Sequence, residues 1–215
     1  LAQFIEILAG FTVVSKRPAV ESWKSPVEPR RAALPDVVIE KPIALLEDIL
    51  APWRERIGAD FEGYKNHVSR MLNFCFALRP CSEEERHKLI IAGAFHDIGI
   101  WSDGTVDYLP PSIDQAKLYL TAQGLTDWIA EVEIIIDLHH KVLPYRGVIS
   151  PLIEIFRKAD LADFSLGVVK GGVPSATVRA AKAAYPNAGF HRRLVQLAGG
   201  WFAKHPLSPP PFMKW

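Results

Sequence analysis

The chain has 215 residues, of which 49% are hydrophobic and 23% charged, and its 25 basic and 24 acidic side chains leave a formal charge of +1. That length can bury one sizeable core, and the near-zero balance excludes a global field that would gather nucleic acid or an anionic membrane. Two cysteines, Cys75 and Cys81, make no disulfide framework and fit a reducing, cytoplasmic setting.

The opening LAQFIEILAGFTVV is apolar but shorter than the roughly 20 residues that span a bilayer, and it holds Glu6. It is expected to be a helix packed on the body, with no membrane segment. Residues 15 to 42 carry Pro18, Pro26, Pro29, Pro35 and Pro42 among charges, which suits an extended arm. KPIALLEDILAPWRERIG then spaces Ile43, Leu46, Ile49 and Trp53 three and four apart, predicting a helix with Pro42 near its first turn. EGYKNHVSRMLNFCFALRP is a helix stopped by Pro80. CSEEERHKLIIAGAFHDIG is another, opened by a capping box of Ser82 and Glu85 and closed by Gly99.

PPSIDQAKLYLTAQG repeats that design, with Ser112 as N-cap, Gln115 in the box position and Gly124 as the stop. TDWIAEVEIIIDLHHK follows, then SPLIEIFRKADLADFSLG with Ser150 as cap and Pro151 in the first turn. Two more helices are expected over about 175–185 and 189–204, before the Pro-rich tail HPLSPPPFMKW. No alternating strand pattern bounded by hairpin signals occurs. The expected fold is all-α, a compact helical bundle. Its organisation is one globule: 1–58 as N-terminal helix, arm and packing helix, 59–170 as the core, and 171–215 as C-terminal helices and tail.

Four places put a potential metal ligand on these helices: His67, the adjacent His96 and Asp97, His139 with His140, and Asp160. Val68, Met71, Leu72 and Cys75 share the face of His67. LIIAGAFHDIG is apolar almost all round, so His96 and Asp97 have no easy way out to solvent. Each residue has an ordinary explanation when taken singly. His67 suits a hydrogen-bonded core histidine, Asp160 a carboxylate paired with Arg157 or Lys158, and His139 and His140 imidazoles at a helix C-terminus. Asp97 has no basic partner nearby on its own face, and a buried carboxylate needs a counter-charge. A divalent cation gathering imidazoles and carboxylates supplies one.

The order of His67, then His96 with Asp97, then His139 with His140, then Asp160, in successive helices of an all-α chain, resembles the HD-domain superfamily of metal-dependent phosphohydrolases over roughly residues 60–170. The resemblance implies one divalent metal held by His67, His96, Asp97 and Asp160. The later stretch AAYPNAGFHRRL, with YKNHVSR and FHDIGIW, is similar to the fungal cyanamide hydratases, HD proteins that use zinc to add water to a nitrile. The implied activity is thus metal-dependent hydrolysis of a small molecule, first of all a phosphate ester. The alternatives are a hydratase acting on a nitrile or cyanamide-like group and a non-catalytic module that binds a small ligand.

The chain departs from the families it resembles in two ways. Binuclear HD proteins need further histidines from several helices, whereas here His139 and His140 are neighbours that point about 100° apart on a helix. A single ion is therefore expected, one histidine of the pair lying near its open positions and the other facing outward or holding structure. The Lys or Glu that often follows the His-Asp pair is absent, Ile100 standing in the Lys position. Asp97, His139 and His140 form the expected catalytic group, with His140 chosen as general base. Arg70, Trp101, Tyr108 and Lys141 are assigned to substrate, and Lys158 and Phe164 are further candidates for the same wall. The donor set accepts Zn, Mn, Fe, Co, Ni or Mg. The expected partner is a small-molecule substrate, with a homo-oligomer compatible and neither nucleic acid nor membrane involved.

Overall fold

The computed structural model describes residues 37–214. The helix expected over the opening residues and most of the expected Pro-rich arm fall outside the described residues. Within them the chain is all helical, and the only extended pairing among the described residues is one isolated bridge between Lys141 and Lys214. No described helix is long and apolar enough to cross a membrane.

The helices are α1 (Ala44–Leu50), α2 (Arg54–Ile57), α3 (Phe61–Leu78), α4 (Glu83–Phe95), α5 (Gly99–Ser102), α6 (Leu109–Ala122), α7 (Ile129–Leu138), α8 (Pro151–Phe164), α9 (Ser175–Ala184) and α10 (Phe190–Lys204). The helix expected over 42–58 is broken: Pro52 sits in a 3-10 turn, Ala51–Trp53, that separates α1 from α2. Its apolar spacing still holds, since Ile43, Leu46 and Ile49 are buried. Proline lacks the amide that an unbroken helix would need there.

The capping box that opens α4 is present, with Ser82 Oγ accepting from the Glu85 amide at 3.2 Å and Glu85 Oε2 accepting from the Ser82 amide at 2.9 Å. Ser150 caps α8 by accepting from the Leu152 amide at 3.1 Å. Two boundary expectations are corrected. Ser112 is no cap: α6 already begins at Leu109, taking both prolines into its first turn, and the buried Ser112 hydroxyl accepts from the Gly99 amide at 2.9 Å. Gly99 is no stop either. α4 ends at Phe95, and Gly99 opens α5 where a Cβ would collide with the Tyr108 carbonyl oxygen. Glycine there lets the α5 turn lie against the start of α6.

At the centre, α3 packs against α8, α4 and α9, while α4 also meets α7 and α1. Val68, Met71, Leu72 and Cys75 on α3 are wholly enclosed. Gly93 lets α4 approach this face closely, because a Cβ there would stand 3.0 Å from Val68 Cγ1 and 3.2 Å from Met71 Cε. That close approach, one turn before His96, carries the end of α4 onto the His67 face of α3.

Candidate metal centre

His67 from α3, His96 and Asp97 from the turn after α4, His139 from the end of α7 and Asp160 from α8 all converge in the interior, each less than 5% exposed. His67 Nε2 stands 3.2 Å from His96 Nε2 and 3.5 Å from Asp160 Oδ1. His96 Nε2 is 3.3 Å from Asp97 Oδ2, and His139 Nε2 is 3.6 Å from Asp97 Oδ1.

The opposite nitrogen of each ring fixes where its proton lies. His67 Nδ1 donates to Asp163 Oδ2 at 2.8 Å, His96 Nδ1 to the Gly93 carbonyl at 2.8 Å, and His139 Nδ1 to the Ile136 carbonyl at 2.6 Å. A carbonyl or an ionised carboxylate can only accept, so a neutral imidazole held this way has a bare lone pair on Nε2. Burial, only partly opposed by Asp163, takes His67 down to about 4, so that ring is neutral near pH 7. His67 therefore presents a bare Nε2 to His96 and Asp160, and the Nε2 atoms of His96 and His139 lie against Asp97. Asp97 Oδ1 and His139 Nε2 are buried without a hydrogen-bond partner.

Such a gathering of acceptors is unfavourable by several kcal/mol for each desolvated charge unless a cation compensates. The nearby side-chain cations go elsewhere. Arg157 binds Glu154 through Nε and Nη2, both at 2.8 Å, and Lys158 pairs with Glu154 at 3.6 Å. Asp160 thus lacks the partner that a packing carboxylate would have, and burial raises it to about 7. Donors bound to one ion at about 2.0–2.2 Å stand roughly 3.0–3.6 Å from one another. His67, His96 and Asp97 each offer a ligand atom within 4.8 Å of the others, as do Asp97, His139 and His140, and Asp160 Oδ1 stands 3.5 and 3.9 Å from the Nε2 atoms of His67 and His96, spacings that could hold a metal ion.

Of the two expected places for the second histidine of the pair, facing outward is excluded, since both His139 and His140 line the interior cavity. α7 ends at Leu138, and the two residues after it lie in a turn where their ring centroids are 3.9 Å apart. Helical spacing no longer separates them. His140 Nδ1 points to Asp160 Oδ2 at 3.8 Å, and its Nε2 meets the Tyr108 hydroxyl at 2.6 Å. Burial and the neighbouring His139 keep His140 well below its usual range, hence neutral. Burial, helped by Asp97 and Asp160, keeps the Tyr108 phenol protonated.

His139, His140, Asp160, Tyr108 and Lys141 line one cavity of about 240 Å³, with Phe164 on its wall. Two residues assigned to substrate lie elsewhere. Arg70 is buried and saturated, giving Nε and Nη2 to Asp163 at 2.6 and 2.7 Å and Nη1 to the Tyr185 and Pro186 carbonyls. Trp101 donates its indole N–H to Asp60 at 3.1 Å and packs on Tyr64, off the cavity.

Sequence reasoning missed Asp163 and Phe190. The signal for Asp163 was its spacing: it follows Asp160 by three, as Arg70 follows His67 by three, so the two pairs face each other across α3 and α8. Phe190, in the AAYPNAGFHRRL stretch, stacks on the His67 ring at 4.1 Å with planes 14° apart. Gly63 admits it, since a Cβ there would lie 2.9 Å from the Ala188 carbonyl.

No family model, curated relative or solved structure matches the chain.

Proposed function

We infer that the chain is a metal-dependent enzyme that delivers water to a small molecule, the activity its HD-domain resemblance implies. One observation carries this reading: His67, His96, His139 and the carboxylates of Asp97 and Asp160 converge in the interior, where Asp97 Oδ1 and His139 Nε2 have no hydrogen-bond partner. A divalent ion held by His67, His96, Asp97 and Asp160 would supply Lewis-acid activation of water and polarise the substrate.

The chain's own groups do the rest. His139 turns its Nε2 to the same centre, 3.6 Å from Asp97 Oδ1. His140, neutral and on the cavity wall, takes the proton lost by the attacking water, and the Tyr108 hydroxyl on its Nε2 holds the ring in place. Arg157 at the wall is already neutralised by Glu154, and Arg70 by Asp163, so these guanidiniums offer little to a dianion. This favours an uncharged electrophile of the nitrile or amide kind. Phosphate-ester hydrolysis is the second reading, and Lys141 on the cavity wall is the observation in its favour.

The test presents metal-loaded protein, with Zn, Mn, Co or Fe, with small nitriles and with a panel of monophosphates. Amide or ammonia formation without phosphate release, abolished by Asp97→Ala, is expected. Turnover of neither class with any metal, or full activity in a folded Asp97→Ala variant, overturns the reading.

A further inference from the structure

The cavity that begins at His139, His140 and Asp160 changes character away from them. Its far wall is hydrocarbon: Leu161 and Phe164 from α8, Leu194 and Phe202 from α10, and Phe212 and Met213 from the C-terminal tail. The tail is a built part of that wall. The Trp201 indole donates to the Ser208 carbonyl at 3.0 Å, the Val142 amide donates to the Lys214 carbonyl at 2.8 Å, and Lys214 Nζ pairs with Asp137 at 2.9 Å. The Phe212 ring lies 5.1 Å from that of Tyr108 and 5.0 Å from that of His140, so the apolar wall abuts the polar end directly.

We propose that the substrate is amphiphilic, with one small uncharged reactive head at the His140 end and a hydrocarbon body lying between α8, α10 and the tail. This deepens the functional reading above and rests on it for the chemistry at the head. A head needing no more than water would leave the hydrocarbon wall unused. A cavity of about 240 Å³ has room for a head group and a short hydrocarbon body. Each methylene that leaves water for such a wall is worth about a fourfold gain in affinity. Phe164, Phe202 and Phe212 then set the specificity.

The test uses two homologous probe series on the intact chain, followed by calorimetry or competition. Straight-chain hydroxamic acids, from acetohydroxamate to octanohydroxamate, are titrated into zinc-loaded protein, and primary alcohols of the same lengths, which need no metal, into protein with and without zinc. Expected is a tightening of about fourfold per methylene in both series, levelling off once the body outgrows the cavity. Phe212→Ser and, on a more exposed site, Phe202→Ser should each flatten that dependence. Short hydroxamates that bind while added methylenes bring nothing, or longer members that bind more weakly, overturn the proposal and leave the metal reading intact. A chain-length gain among the alcohols with no hydroxamate binding at any length overturns the metal reading and supports the hydrocarbon site. A flat response in both series defeats both.

Discussion

Asp163 accepts the Nδ1 proton of His67 at 2.8 Å while Arg70 grips the same carboxylate with two nitrogens. This couples the identity of one ring nitrogen to an ion pair two residues removed from the centre. Burial would raise the Asp163 acid, but Arg70 and His67 hold it down to about 2, so it stays an acceptor and keeps His67 Nε2 bare. The His67 ring is fixed on its other flank by Phe190.

Replacing Asp163 by Asn should therefore weaken metal binding by about 10- to 100-fold, as loss of such outer partners does. It also leaves Arg70 buried without a counter-charge, which should lower stability by about 3 kcal/mol or more. Metal titration and denaturant unfolding of the same sample check both effects. An unchanged affinity would mean that Asp163 does not orient the ring.

The pH dependence has a definite sign. In the metal-free chain burial holds Asp160 above its ordinary 3.8, at about 7, so the native state keeps a proton that the unfolded state releases. That stabilising contribution is complete below about 4 and is lost as pH rises through 7. His67 works the other way: its folded value of about 4 lies below 6.5, so its contribution is present above 6.5 and lost as pH falls through 4. A divalent ion must displace the Asp160 proton, so its affinity should fall about tenfold per pH unit below 7. The rise in Tm on adding zinc should be larger at pH 8 than at pH 5.5. An equal rise at both pH values would contradict this assignment of Asp160.

Removing the Tyr108 hydroxyl with Tyr108→Phe takes away the partner of His140 Nε2 without opening the core. Metal content should be unchanged while kcat falls by about 10- to 100-fold, and His140→Ala should fall further. Steady-state rates on whichever substrate class turns over give the comparison. Equal activity of Tyr108→Phe and wild type would remove this phenol from the proton path.

How far the sequence reaches is visible in these residues. His67, His96, Asp97 and Asp160 stood out as candidates because they are polar side chains on helices with apolar faces, and the HD-domain resemblance is what implied them as one ligand set. Asp163 was not, because its role depends on Arg70 arriving from another helix, and periodicity within one segment says nothing about which faces meet. Ser112 misled for a local reason: a serine ahead of an apolar run has the form of a cap, but Pro110 and Pro111 let α6 begin a turn earlier, and the hydroxyl serves Gly99. His139 and His140 were placed apart by extending helical spacing past Leu138, where the helix ends. The all-α architecture itself survived these errors, since it rests on stripes of many residues.

Gly63→Ala tests how tightly the later segment closes on the centre. The added methyl would press on the Ala188 carbonyl and the Phe190 backbone, moving the aromatic ring from His67 at a stability loss of about 1–3 kcal/mol. Thermal unfolding with and without metal separates the two consequences: Tm should fall in both states, and the gain on adding zinc should shrink. A gain as large as that of wild type would show that Phe190 does not support the His67 ring.

The convergence of imidazoles and carboxylates on a metal ion is tested most directly by elemental analysis of protein purified without added metal or chelator. About one divalent transition-metal ion per chain is expected, falling to none in Asp97→Ala. Wild-type protein that carries no such ion, and whose unfolding is indifferent to added Zn, Mn, Co or Fe, would contradict the account.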